Sequence, residues 1–246
     1  MVHVESFAKA TDPPVRGFLH RPEVASGDAI VLTHGAGSNA QAPLLRALAE
    51  TFAASGFTVL RCDLPYRQVR SFGPPGPGDG ACDRGGLKNA IAALNELLSA
   101  PLRADASGSG EASQQNSGRM FLGGHSYGGR QASMLCAEEP DLIAGLLLLS
   151  YPLHPPRRPE QQRRQHLPDL RTTTLFVHGT RDPFGSIDEL QRAMKMIPAK
   201  TKLQPVEGAG HDLGFKGQSR KEELPQIILA AFRAFLDEAS VVGLRS

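Results

Sequence analysis

The chain has 246 residues, 40% of them hydrophobic, with a formal net charge of +2 and three scattered cysteines, Cys62, Cys82 and Cys136. That length can bury a substantial core within one domain, and a charge so close to neutral gives no reason to expect nucleic acid or an anionic membrane as partner. An odd, scattered cysteine set without metal-type spacing favours a reducing, cytoplasmic setting with free thiols.

Residues 1–6 lack the basic-then-apolar order of a signal peptide, and no apolar run approaches bilayer length. Val2–Phe7 and Val15–His20 alternate apolar and polar residues around a Thr-Asp-Pro-Pro break and predict two antiparallel strands. Ala29–Thr33 is a short β-branched run ending in His34-Gly-Ala-Gly37. Asn39 is placed to cap a following helix whose stripe is Leu44, Leu45, Leu48, Ala49 and Phe52; Gly56 ends it before a strand at Phe57–Leu60. Strand, helix, strand makes the two strands parallel. Residues 67–86, rich in Gly, Pro and Arg, read as an extended loop, followed by a helix from about Leu87 to Leu98. Residues 104–118 are small and polar and read as a mobile surface loop.

The alternation then continues with a strand at Met120–Leu122, a helix after Ser126, and a strand at Ile143–Leu149. A loop rich in Pro and Arg from Pro152 to Pro168 leads to a strand at Thr174–Val177 and a helix over Ile187–Ile197. A strand near Leu203–Val206 and a last helix near Lys221–Ala239 complete the chain. About eight strands and six helices, without repeats or a second composition regime, predict one α/β domain over 1–246: a central, mostly parallel sheet with helices on both faces.

In such sheets ligands sit beyond the carboxyl ends of the parallel strands. The residues just after the strands are His34, Asp63, Ser126, Ser150, His178 with Asp182, and His211. The motif GHSYG (124–128) reads as a strand turning sharply into a helix, with Ser126 on the corner and its hydroxyl lifted clear of the sheet. A serine hydroxyl needs a base, and the base needs a carboxylate to fix its tautomer. His211, in the glycine-rich GAGHD (208–212), is the candidate base. Asp182, in HGTRDPFG (178–185), is the candidate acid, with Asp212 as rival. The order Ser, Asp, His is that of α/β-hydrolases. Donors for an oxyanion are expected from the backbone N–H groups of Tyr127, at a helix N-terminus, and Ala36, in the HGAG turn. His34, Gly35, His178, Tyr66 and Arg67 stand near the same edge and are candidates to touch substrate, although holding turns is the commoner role of such histidines. Strand alternation predicts that His125 points away from the site, into the structure. Arg157, Arg158, Arg163, Arg164 and His166 make a basic run for which a solvated face is the commoner reading.

Two readings compete. His34-Gly-Ala-Gly-Ser-Asn-Ala40 also spells Gly-x-Gly-x-x-Ala between a strand and a helix, with Asp63 after the next strand, as in a nicotinamide-dependent oxidoreductase; that leaves GHSYG and GAGHD unexplained. A hydrolase fold kept as a binding module is the other. No His-Glu-x-x-His or comparable ligand spacing occurs, so neither metal nor cofactor is expected.

Through HGAG (34–37), GHSYG, HGTRDPFG and GAGHD the chain resembles the α/β-hydrolase superfamily over nearly its whole length. It is similar to the compact dienelactone-hydrolase-like branch, whose members carry cysteine where this chain has Ser126, so their substrate does not carry over. HGAGSN, DLPYR (63–67) and LFVHGTRDPFG (175–185) resemble more closely a small family of predicted hydrolases that includes the testis-expressed hydrolase-like proteins and a subunit of the NSL acetyltransferase complex. The resemblance implies a carboxylesterase-like serine hydrolase acting on an ester or related acyl bond of a small molecule. Only about 24 residues separate the Ile143 and Thr174 strands, too few for a helical cap domain.

Overall fold

The structure, a computed structural model, describes residues 2–99, 118–215 and 222–243. All the described strands form a single eight-stranded sheet. β1 (His3–Lys9) and β2 (Val15–Arg21) are antiparallel, and β2 joins β4 (Thr58–Cys62) antiparallel. From β4 onward every pairing is parallel, through β3 (Ala29–Thr33), β5 (Met120–His125), β6 (Gly145–Leu149), β7 (Thr174–Gly179) and β8 (Thr201–Val206). The spatial order is β1-β2-β4-β3-β5-β6-β7-β8.

Strand periodicity sorts the core into two layers. Ala29, Val31, Leu122, Leu146, Leu148 and Phe176 face one layer, with Leu87, Ile91 and Leu94 of α3 (Asp79–Ser99) and Leu135 of α4 (Tyr127–Glu138). Their neighbours Ile30, Leu32, Phe121, Leu147, Leu149 and Val177 face the other. There they meet Leu45, Leu48 and Phe52 of α1 (Pro43–Ala54) and Ile228, Phe232 and Phe235 of α6 (Glu223–Gly243). A parallel sheet buried on both faces explains why the central strands read as unbroken apolar runs.

Three local expectations are corrected. Asn39 does not cap α1: its Oδ1 accepts the Gln41 N–H at 2.9 Å in a preceding turn, and Ala42 is the cap residue without a side-chain bond. The 67–86 stretch is not all loop, since α2 (Pro65–Val69) opens it and α3 starts eight residues earlier than Leu87. Glycines that lower helix propensity there are used for close packing: a Cβ on Gly86 would lie 2.5 Å from Pro65 Cγ. The loop expected over 104–118 lies, Gly118 apart, outside the described residues. Between β6 and β7 the chain forms only a single 3-10 turn, Leu167–Asp169, and no cap domain. Short α5 (Ile187–Met194) is started by a capping box between Ser186 and Glu189.

Candidate active site

Ser126 sits between β5 and α4 with φ 51° and ψ −117°, a strained conformation for a residue with a Cβ. Bonds at both ends hold it there: its N–H donates to Leu149 O at 2.8 Å, and its carbonyl accepts from Arg130 N at 2.9 Å. The flanking glycines are required by space. A Cβ on Gly124 would lie 2.5 Å from Gly129 N, and one on Gly128 2.4 Å from His34 O.

Asp182 and His211 come from separate loops that are zipped together. Thr180 N donates to Val206 O at 3.1 Å, Arg181 N to Ala209 O at 2.9 Å, and Gly208 N to Thr180 Oγ1 at 2.8 Å. The result is a continuous chain of hydrogen bonds. His211 Nε2 lies 2.7 Å from Ser126 Oγ, and His211 Nδ1 lies 2.8 and 3.0 Å from Asp182 Oδ2 and Oδ1. A carboxylate against Nδ1 keeps the proton on that nitrogen and leaves the Nε2 lone pair facing the hydroxyl. Asp182, its side chain fully buried, also accepts the Phe184 N–H at 2.9 Å. The rival Asp212 turns instead to the Gly214 N–H, 3.0 Å away.

Two neighbours of this chain were not foreseen. The Phe184 ring stacks on His211 with centroids 4.1 Å apart at 29°, closing one face of the imidazole. His125 does not point into the structure; it lines the cavity, and its Nε2–H donates to the His211 carbonyl at 2.9 Å. Strand alternation fails at this last strand residue because the backbone already turns into the corner. Burial pushes the His125 pKa down to about 4, so the ring is a neutral donor.

The 34–38 turn is held from behind. His34 is fully buried, donates from Nδ1 to Gly35 O at 2.9 Å and accepts the Leu64 N–H on Nε2 at 3.1 Å. With Nε2 occupied as an acceptor it is a neutral tautomer, as its burial-lowered pKa requires, despite Asp63 Oδ1 at 3.6 Å. The Ala36 carbonyl accepts from Tyr66 OH at 2.8 Å and from Arg67 Nη2 at 2.9 Å. The Gly35 carbonyl accepts from Ser38 N at 3.1 Å as well as from His34. A trans peptide points its N–H opposite its carbonyl, so these bonds aim the Ala36 N–H the other way. Tyr127 N–H is the first free amide of α4. Neither amide donates to a protein acceptor among the described residues. Tyr127 OH donates to Asp83 Oδ2 at 2.7 Å, while Tyr66 N donates to Asp83 Oδ1 at 3.1 Å.

A cavity of about 790 Å³ opens onto Ser126 and His211. His34, Gly35 and Ala36 line it, whereas Tyr66, Arg67 and His178 are not part of its lining. Arg67 is 7% exposed and its guanidinium is taken up by the carbonyls of Ala36, Ser38, Arg70 and Gly73. His178 is fully buried, with Nε2 on Gly185 O at 2.8 Å. The basic loop 157–166 is also absent from the lining, which is completed by Gly37, Ser38, Ala42, Pro43, Leu44, Leu45, Asp212 and Phe215. Residues 42–45 directly follow the 34–38 turn, while Phe215 comes from a segment far away in sequence. Asp63, the acid that a dinucleotide reading assigns to a ribose, accepts the Ala40 N–H at 2.6 Å. Among the described residues no cluster of three or more His, Cys, Asp or Glu could hold a metal, and no helix is long and apolar enough to cross a membrane.

The chain's fold has many solved counterparts. An α/β serine hydrolase homologue from Coxiella burnetii superposes with a TM-score of 0.67 at 16% identity, over 92% of this chain and 96% of that one. Dienelactone hydrolase from Anabaena variabilis gives 0.65 at 20% identity, over 92% and 94%. A lidless α/β serine hydrolase from Xanthomonas campestris gives 0.64 at 15%, over 94% and 95%. At such identities these likenesses carry the fold alone. The sequence profile of the alpha/beta hydrolase domain, however, matches residues 26–237, most of the chain, and the chain belongs to that family.

Proposed function

We propose that this protein is a serine hydrolase, carboxylesterase-like, which cleaves an ester or related acyl bond of a small molecule through an acyl-enzyme at Ser126, without metal or cofactor. The observation that carries this reading is the unbroken chain from Ser126 Oγ through His211 to Asp182, with links of 2.7 and 2.8 Å. As His211 Nε2 takes the hydroxyl proton, Ser126 Oγ bonds to the substrate carbonyl carbon and the carbonyl oxygen becomes an oxyanion. The N–H groups of Ala36 and Tyr127 receive that oxyanion, and Asp182 stabilises the imidazolium. His211 then passes its proton to the departing alkoxide. Water, deprotonated by the same ring, releases the acid and restores the serine.

Family membership supports the reaction class. The nearer tie to the testis-expressed and NSL-subunit hydrolases belongs to the same proposal, on HGAGSN, DLPYR and LFVHGTRDPFG. So does a cytoplasmic location, which three free thiols favour. Hydrolysis of p-nitrophenyl esters tests the reaction. Ser126→Ala should lower kcat by at least about 10,000-fold and His211→Ala by a comparable factor, with the fold intact by circular dichroism. Undiminished turnover in Ser126→Ala would refute the assignment; a folded wild type inert to every ester and to fluorophosphonate would favour a binding module.

A further inference from the structure

We infer that the cavity beside Ser126 selects uncharged, apolar esters of small acids and turns away substrates that carry a second, negative charge. The inference rests on the hydrolase reading above and goes on to the substrate class. Its size, about 790 Å³, lies in the range of small-ligand sites. Its polar lining comprises the Ser126 hydroxyl, His211, His34, His125, Ser38, Asp212 and the backbone of the 35–37 turn. The rest of the lining is apolar: Ala42, Pro43, Leu44, Leu45, Phe184, stacked on His211, and Phe215.

Among the described residues, no lysine or arginine lines the cavity. The two arginine-bearing loops that suggest an acidic substrate on sequence grounds do not supply one. Arg67 is bound to four backbone carbonyls behind the 34–38 turn, and Arg157 to Arg164 lie elsewhere. The histidines that border the site, His34 and His125, are held neutral by burial. The one formally charged side chain in the described lining other than His211 is the carboxylate of Asp212. A second anion on the substrate would therefore leave water for a mostly apolar surface on which the described residues offer no cationic partner. Ala42, half-buried at the start of α1, has an extended backbone that accepts any side chain, so its size sets how much room the apolar end has.

Ethyl hexanoate and the monoethyl ester of adipic acid have chains of similar length and differ in terminal charge. With the wild-type protein followed by pH-stat at pH 7.5, hexanoate should exceed the adipate ester in kcat/KM by about 100-fold or more. In the series acetate, butyrate, hexanoate each added methylene should raise kcat/KM by about three- to fourfold. Ala42→Phe should lower the hexanoate-to-acetate ratio. An adipate ester turned over as fast as hexanoate, with turnover still abolished by Ser126→Ala, would overturn the substrate class and leave the hydrolase reading standing. If no ester in the set is turned over, alkyl and ω-carboxyalkyl fluorophosphonates provide the same comparison as labelling rates. Faster labelling by the alkyl probe supports the inference, equal or slower labelling overturns it, and no labelling by either removes the hydrolase reading and this inference with it.

Discussion

Two buried carboxylates face the Ser126 corner from different sides. Asp182 accepts the His211 Nδ1–H and, in the proposed mechanism, orients the base; Asp83, also fully buried, reaches both segments that carry the proposed oxyanion donors. Its Oδ2 accepts Tyr127 OH and its Oδ1 accepts Tyr66 N, while Tyr66 OH holds the Ala36 carbonyl. Burial is the main cause of the raised pKa of Asp83, and the tyrosine hydroxyl and amide pull it back. A preorganised donor pair works only if its amides stay fixed while charge develops. Tyr127→Phe should therefore lower kcat by about tenfold with little change in KM, and Asp83→Asn should do the same. The double variant should lose little more than either single one, because both break one connection. A rise in KM alone, or strictly multiplicative losses, would assign these residues to packing.

At the scale of elements, the corner depends on how closely α4 approaches the 34–38 turn. A Cβ on Gly128 would lie 2.4 Å from His34 O and 2.8 Å from Thr33 Cγ2, whereas one on Gly37 meets nothing within 4 Å. Gly128→Ala should cost about 1–3 kcal/mol by overpacking, lower Tm and reduce kcat by displacing the Ala36 amide. Gly37→Ala should keep the wild-type Tm; equal Tm losses at both positions would contradict the packing argument. This element was legible in sequence because a strand–Gly-x-Ser-x-Gly–helix pattern has one steric solution. The start of α3 was not: Gly80, Gly85 and Gly86 argue against a helix locally, and only packing against residues such as Pro13 and Pro65 makes their lack of a Cβ useful. Likewise Asn39 has the chemistry of a cap, but it spends its side chain on a turn three residues too early.

For the molecule as a whole, buried histidines couple the fold to pH; His34 and His178 are lowered by burial as well as the three with the largest shifts. His20, His125 and His166 are pushed from the ordinary 6.5 to about 4, each chiefly by burial. His20 also accepts a hydrogen bond from Arg61 Nε at 2.8 Å, and a neighbouring guanidinium opposes a second positive charge. With folded values below the unfolded one, the unfolded chain binds more protons between about pH 6.5 and 4. The stability contributed by the neutral rings is thus complete above pH 6.5 and is lost as pH falls through that window. Tm should be nearly flat from pH 8 to 7 and fall steadily from 6.5 to 4.5; a Tm that rises on acidification over that range would contradict the burial of these rings. The sheet, its parallel core and the Ser–Asp–His order could be read from the chain, since each is written in local periodicity or in the residues that come directly after a strand. The Phe184 stack could not, because it arises only where two loops distant in sequence converge, nor could the orientation of His125, because the turn into the corner overrides strand alternation. The central claim is that Ser126 is the nucleophile, and mass spectrometry of protein treated with an alkyl fluorophosphonate tests it most directly. One phosphonyl adduct is expected, mapped to Ser126 and absent from Ser126→Ala; an adduct on another residue, or undiminished labelling of that variant, would contradict the account.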